Sequence, residues 1–127
     1  MVGTDDEVAA QIVDAAVSIH KYLGPGLLES AYAAALQIEF DERGMICERE
    51  VPILAHYHDR PLGVVYRADL LVESRVLVEV KAVLGPEPLH VAQLLSYLRL
   101  GKWRLGLLLN FNSPLMKDGI RRIVNGH

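Results

Sequence analysis

The chain has 127 residues, of which 51% are hydrophobic and 23% are charged, and this composition is typical of a single soluble globular domain over residues 1–127. No apolar run reaches 18 residues, so no transmembrane helix is expected, and the acidic start lacks the features of a signal peptide. The cytoplasm is therefore the expected compartment. The net charge of −3 counts against a protein that coats nucleic acid.

Charge is distributed unevenly along the chain. Residues 1–59 carry 3 Lys/Arg and 11 Asp/Glu, whereas residues 60–127 carry 10 Lys/Arg and 5 Asp/Glu. The second half can therefore supply contacts to phosphate groups that the overall charge conceals. The alternative interpretation is that the asymmetry has no functional meaning, since such differences between halves are common.

Two helices are predicted at the start of the chain. Apolar residues recur at helical spacing from Asp5 to Leu23, and the segment 24–26 ends that helix because Gly and Pro both disfavour it. A second apolar stripe predicts a helix that starts with Gly26 as its N-cap and ends near Arg43. Gly44 follows at the position of a C-terminal cap.

The remainder of the chain predicts strands around one further helix. The predicted elements are an irregular or edge strand over 46–57, strands over 62–72 and 76–83, a helix over 89–100, a strand over 103–110 and a short element over 120–124. The resulting order is α-α-β-β-β-α-β. The two strands on either side of the third helix should be parallel, and the earlier strands antiparallel, which gives a mixed sheet with helices packed on it.

The hairpin formed by the strands over 62–72 and 76–83 carries the candidate chemistry. A turn centred on Ser74 pairs Glu79 with Asp69, and side chains alternate between the two faces of a strand. The even positions form a wholly apolar face that comprises Ala68, Leu70, Val72, Val76, Val78 and Val80. The other face places the Asp69 and Glu79 carboxylates directly opposite each other, with Cβ atoms roughly 4.5–5.5 Å apart.

Two like charges that face each other across a sheet are destabilising. A divalent cation between Asp69 and Glu79 removes this repulsion, and Mg²⁺ is commonly held by one or two carboxylates together with water. Lys81 points to the same side of its strand and can stabilise charge that develops on a phosphate. The alternative is a solvated sheet face on which Lys81 pairs with Glu79 and no metal binds.

Several segments resemble motifs of a known family. The residues Arg67 to Asp69, followed by Glu79 to Lys81, resemble the D…ExK signature of the PD-(D/E)XK nucleases, with Ala68 in place of the proline in the name. The segment GLLESAY at 26–32 matches the GxxExxY motif that names one family within this superfamily. Further similarity lies in AQLLSYL at 92–98, which resembles a Q…Y helix, and in C-terminal signatures at 106–112 and 117–124. The resemblance covers about residues 8–125.

The resemblance implies a restriction-endonuclease-like α/β fold with an αβββαβ core, in which a mixed central sheet is flanked by helices. It implies that Asp69 and Glu79 bind Mg²⁺ or Mn²⁺ and that Lys81 is the catalytic lysine. It also implies that Glu29 contributes an acidic group from the first core helix and that Gln93 lines the cleft. For Glu29 a capping role stays open, because it occupies the third position of the predicted helix.

The expected function is hydrolysis of phosphodiester bonds in DNA or RNA by a metal-dependent nuclease. One alternative is a non-catalytic module that keeps the nuclease fold and binds nucleic acid or a protein partner. Another is a homo-oligomer or an accessory subunit of a larger complex. The intact set of Asp69, Glu79 and Lys81 favours the enzyme, whereas the small size of the chain favours a module.

Overall fold

The computed structural model describes residues 3–85 and 88–126. In chain order, the elements are α1 (Asp5–Leu23), α2 (Glu29–Glu42), β1 (Cys47–Tyr57), β2 (Arg60–Val72), β3 (Val76–Lys81), α3 (Pro88–Gly101), β4 (Leu105–Asn110), a 3₁₀ helix η1 (Met116–Gly119) and β5 (Ile120–Val124). The predicted order is confirmed, with the short element at 120–124 forming β5. The 3₁₀ helix before it is an addition that the sequence pattern does not predict.

The strands form one mixed sheet in the order β1-β2-β3-β4-β5. Strands β3 and β4 are parallel neighbours in the sheet and are connected in the chain by α3. The other neighbouring pairs are antiparallel, so the predicted α/β class is confirmed. The turn between β2 and β3 is centred on Ser74, as predicted, because Val72 pairs with Val76. Strand β1 is the predicted irregular edge strand, and it contains two register shifts.

Helices cover both faces of the sheet. On one face, α1 and α2 pack over residues that include Leu70, Val72, Val76, Val78, Leu105 and Leu107. On the other face, α3 packs through Leu94 and Leu98 over residues that include Leu71, Leu77 and Leu108. The alternative interpretation, in which one face of the hairpin is exposed to solvent, is therefore wrong, because the side chains that face α3 are buried as well. Within the described residues, none of the helices is long and apolar enough to span a membrane.

The prediction that the even-numbered positions of the hairpin share one apolar face is confirmed from Leu70 to Val80 and is wrong at Ala68. Ala68 packs with Leu77 on the α3 side of the sheet. Its cross-strand partner on β1 is Val51, and the residue before Val51, Glu50, has a φ of 54°. An irregularity of this kind bends a strand and changes the direction of the neighbouring side chains, so the strict alternation of faces ends here.

The second helix begins three residues after its predicted N-cap, at Glu29. Two hydrogen bonds of the Tyr32 side chain lie at this helix start: its hydroxyl donates to the Gly24 carbonyl and accepts from the Leu27 N–H at 3.1 Å. These two hydrogen bonds hold the preceding segment in a non-helical turn. The prediction of Gly26 as the N-cap is therefore wrong.

Three arginines of the basic half are paired with the acidic start of α1. Asp5 lies 3.2 Å from Arg75 Nη1 and 3.0 Å from Arg104 Nε, and Asp6 pairs with Arg122. Acidic side chains are favourable at a helix N-terminus, and here they also tie α1 to the sheet. Part of the charge asymmetry of the sequence is therefore neutralised within the fold.

Candidate functional site

The backbone pairing between β2 and β3 ends at Leu70 and Val78, one residue before the two predicted carboxylates. Beyond that point, each carboxylate accepts a hydrogen bond from the backbone. The Val80 N–H donates to Asp69 Oδ2 at 2.7 Å, and the Asp69 N–H donates to Glu79 Oε2 at 2.9 Å. The two acidic groups therefore converge where the strands stop pairing, and each helps to replace the lost backbone ladder.

Burial raises the proton affinity of both carboxylates. Glu79 is 2% exposed, and its burial, reinforced by the charge of Asp69, raises its pKa to about 7. Burial also raises the pKa of Asp69, while the Val80 N–H and the Lys81 ammonium oppose the shift and Glu29 adds to it. Burial, and to a lesser extent the repulsion between the two groups, therefore makes the doubly ionised pair unfavourable, and an added positive charge would offset this.

A stacked pair of tyrosines supports Glu79. The Tyr66 hydroxyl donates to Glu79 Oε1 at 3.0 Å, and the Tyr66 ring stacks on Tyr97 with centroids 4.2 Å apart. Burial and the nearby carboxylate raise the pKa of Tyr66, so its hydroxyl stays protonated and able to donate. The sequence pattern does not indicate Tyr66, because regular alternation along β2 places it on the face opposite to Asp69.

Glu29 reaches the same region from α2. Its Oε2 accepts from the Ala82 N–H at 3.1 Å, directly after β3. Together with Arg49, Glu50 and Asp69, it lines a surface cleft that is called the acidic cleft below. The capping interpretation of Glu29 is wrong, because the residue opens its helix and bonds to another segment. Sequence reasoning also misses Glu50, whose positive φ interrupts β1 beside this cleft.

Lys81 and Gln93 differ in their relation to the two carboxylates. Lys81 is half-buried at the end of β3, and its charge opposes the rise that burial causes in the pKa of both Asp69 and Glu79. Its side chain lines a second concavity, called the basic pocket below, whose walls also include His90, Asn110, Asp118, Gly119 and Arg121. Gln93 is half-buried on α3, and its side chain forms no hydrogen bond within residues 3–85 and 88–126. The charge of Lys81 therefore acts on the acidic pair, whereas the place of Gln93 in the cleft stays a prediction.

Asp69 and Glu79 fit a small, hard divalent cation. Both present carboxylate oxygens, and Asp69 Oδ1 accepts no hydrogen bond from any described residue. Mg²⁺ and Mn²⁺ prefer such oxygens, and Mg²⁺ sites often use one or two carboxylates completed by water. No group of three or more His, Cys, Asp or Glu side chains in the described parts of the chain is arranged to hold a metal. The pair therefore suits an ion that keeps several of its waters.

The fold and the site define a protein of the restriction-endonuclease-like α/β class, with two acidic groups and a lysine where β2 and β3 separate. The chain belongs to the PD-(D/E)XK nuclease superfamily, since the family model with that description matches residues 6–123. No curated protein and no solved structure matches the chain. Nucleases of this superfamily generally use divalent metal ions, and their substrates are nucleic acids.

Proposed function

We propose that this protein is a Mg²⁺- or Mn²⁺-dependent nuclease of the GxxExxY family that hydrolyses phosphodiester bonds in DNA or RNA. The observation that supports it best is the convergence of Asp69, Glu79 and Lys81 at the end of the β2–β3 pairing. A nuclease fold alone does not determine activity, so the chemistry of these three side chains matters more than the fold. Residues 1–127 are proposed to act as a single domain.

Each proposed catalytic side chain has a distinct task. Asp69 and Glu79 would hold the cation, which would supply positive charge near the scissile phosphate and lower the pKa of a water molecule. Lys81 carries a positive charge that acts on both carboxylates, and this charge would stabilise the negative charge that builds on the phosphate in the transition state. Glu29 fixes the backbone directly after Lys81 by accepting from the Ala82 N–H.

Gln93 is proposed to line the cleft and to contact the bound substrate. Its side-chain amide is not engaged in a hydrogen bond within the described part of the chain, and the residue is half-buried on α3. An amide in this state offers one acceptor and two donor hydrogens to a nucleic acid strand. This assignment rests on the resemblance to the Q…Y helix of the family.

A non-catalytic binding module is the second candidate, and the state of Glu79 favours it. Both Glu79 oxygens already accept hydrogen bonds, from the Asp69 N–H and from the Tyr66 hydroxyl. The side chain is also 2% exposed. A carboxylate that is buried and hydrogen-bonded in this way can have a purely structural role, which needs no cation.

A hydrolysis assay on single- and double-stranded DNA and RNA, with Mg²⁺ or Mn²⁺, separates the two candidates. The wild-type protein is expected to cleave at least one substrate, and Lys81→Ala is expected to reduce the rate by about 100-fold or more. Lys21→Ala, at an exposed position near the end of α1, serves as the matched control and should leave the rate unchanged. If the wild type cleaves none of the substrates although metal stabilises it, the binding module is the better assignment.

Tyr66→Phe is expected to weaken Mg²⁺ binding by about tenfold while the fold is retained. The substitution removes the hydroxyl that orients Glu79 and stabilises its charged form, but it leaves the ring stacked on Tyr97. Titration calorimetry with Mg²⁺ measures the effect. Tyr57→Phe, at an exposed site at the end of β1, provides the matched loss of a hydroxyl. Equal Mg²⁺ affinity in both variants and the wild type would mean that Tyr66 does not position a ligand.

A further inference from the structure

The basic pocket lies at the carboxyl ends of the two parallel strands. Lys81 is the last residue of β3, Asn110 is the last residue of β4, and the two are cross-strand partners. Both residues line the pocket. In open α/β sheets, ligands bind in crevices outside the carboxyl ends of the strands, so the pocket occupies a position suited to binding.

Interactions within the fold build the wall of this pocket. Asn110 Oδ1 accepts from the Val83 N–H, and Asn110 Nδ2 donates to the Val83 carbonyl, both at 3.1 Å. On the other side, η1 approaches β4 so closely that a Cβ atom on Gly119 would lie 2.2 Å from the Asn110 carbonyl oxygen. Only glycine permits that approach, so the shape of the pocket is determined by β4, η1 and the segment after β3.

Two cations of the basic pocket are available to an anion. Neither Lys81 nor Arg121 forms an ion pair within the described residues, although Asp118 also lines the pocket. The contrast with Arg122, the next residue on β5, is informative, because Arg122 is paired with Asp6. The positive charge of Arg121 is therefore not neutralised by an ion pair within the described residues.

The basic pocket and the acidic cleft lie on either side of the end of β3. Val80 and Asp69 line the acidic cleft, whereas the next residue along the strand, Lys81, lines the basic pocket. A polymer with regularly spaced negative charges that crosses the end of β3 meets both concavities in succession. Successive phosphates of one nucleic acid strand have this arrangement of charge.

We propose that the basic pocket is a second phosphate-binding subsite, which holds the phosphodiester next to the one at the carboxylates, with Arg121 as its principal ligand. The inference rests on the proposed nuclease function and names the part of the substrate that the enzyme holds beside the reacting group. Arg121 suits this role because its planar guanidinium can bind two phosphate oxygens at once. Lys81 lies between the two phosphates and contributes to both.

Binding of a fluorescein-labelled single-stranded 12-mer, as DNA and as RNA, tests the subsite in EDTA, where no hydrolysis occurs. Fluorescence anisotropy at NaCl concentrations between 50 and 200 mM yields the affinity and its salt dependence. Arg121→Gln is expected to weaken binding by about tenfold and to reduce the slope of log K against log salt by about 0.7, the value for one phosphate contact on a single strand. Arg121→Lys should retain the slope and recover part of the affinity.

Arg99→Gln is the matched control, since Arg99 is exposed in the last turn of α3 and does not line the basic pocket. Equal losses in Arg121→Gln and Arg99→Gln would overturn the subsite, because net charge alone would then explain the effect. Failure of the wild type to bind either oligonucleotide would also overturn it. A loss confined to DNA or to RNA supports the subsite and identifies its substrate. The cation site is tested separately by metal-dependent melting, so failure of either proposal can be recognised without the other.

Discussion

Asp69→Asn is expected to abolish the thermal stabilisation that Mg²⁺ or Mn²⁺ provides to the wild-type protein, and to abolish hydrolysis with it. A cation that binds only the folded state adds about 2.7 kcal/mol at a concentration 100 times its Kd. For a chain of this size, the gain corresponds to a rise in Tm on the order of 10 °C. Asn removes the charge that attracts the cation, so the melting curves with and without metal should coincide.

The Asp69→Asn variant should fold normally, because its amide oxygen can still accept the hydrogen bond that Val80 N–H donates to Asp69 Oδ2. Asp59→Asn supplies the control: Asp59 lies exposed in the turn between β1 and β2, where its φ of 62° suits Asn equally well. Thermal melting of the three proteins with and without metal is the measurement. If Asp69→Asn responds to metal as the wild type does, Asp69 is not a ligand, and the binding module becomes the preferred function.

Glu79→Gln is expected to stabilise the metal-free protein at pH 8 and to reduce the decline in wild-type stability between about pH 4.5 and pH 7. In the folded protein, burial and the charge of Asp69 raise the pKa of Glu79 to about 7 from an ordinary value of 4.5. The folded state therefore binds the proton more tightly than the unfolded state does, and stability falls as pH rises through this window. The raised pKa of Asp69 acts in the same direction.

The expected size of the Glu79 effect follows from the pKa difference, which corresponds to up to about 3 kcal/mol at pH 8. At pH 4 the wild type and Glu79→Gln should have nearly equal stability, because Glu79 is then protonated in the folded state and largely protonated in the unfolded state. The Gln side chain can keep both contacts, since its oxygen can accept from the Asp69 N–H and its amide can donate to the Tyr66 oxygen.

Urea denaturation between pH 4 and pH 8, in EDTA, measures this effect, and Glu48→Gln at an exposed position of β1 is the control. The control should follow the wild-type pH profile. Addition of Mg²⁺ at pH 8 should reverse the ranking, because the cation stabilises the wild type and has lost one of its ligands in Glu79→Gln. If the free energy of unfolding of the wild type stays constant from pH 5 to pH 8, the pKa of Glu79 is not raised in the folded protein.

Local sequence patterns predict most of the fold because the helices and strands follow short-range rules. The spacing of apolar residues indicates α1 and α3 to within one residue at each end, and the turn centred on Ser74 follows from the pairing of Val72 with Val76. The start of α2 is not predicted correctly, because the Tyr32 hydroxyl forms hydrogen bonds with the preceding segment, and helix propensities do not take such side-chain contacts into account.

The acidic pair and its lysine are also evident from the sequence, since a hairpin register and strand periodicity are sufficient to bring Asp69, Glu79 and Lys81 to one region. Tyr66 and Glu50 are not evident, because regular alternation directs Tyr66 to the opposite face and gives Glu50 no special position. Both join the site through the irregular geometry of β1 and β2 beside Ala68.

The fold class, the order of the elements and the identity of the charged groups can be predicted from the amino-acid sequence, because they depend on residue type and on spacing along one or two neighbouring elements. Three further properties are visible in the folded chain alone: each carboxylate accepts a backbone N–H from the opposite strand, Glu79 is buried, and Lys81 lines a pocket together with Arg121. These properties depend on distances between segments that are far apart in the chain. Packing against α2, α3 and η1 sets those distances, and no local pattern encodes them.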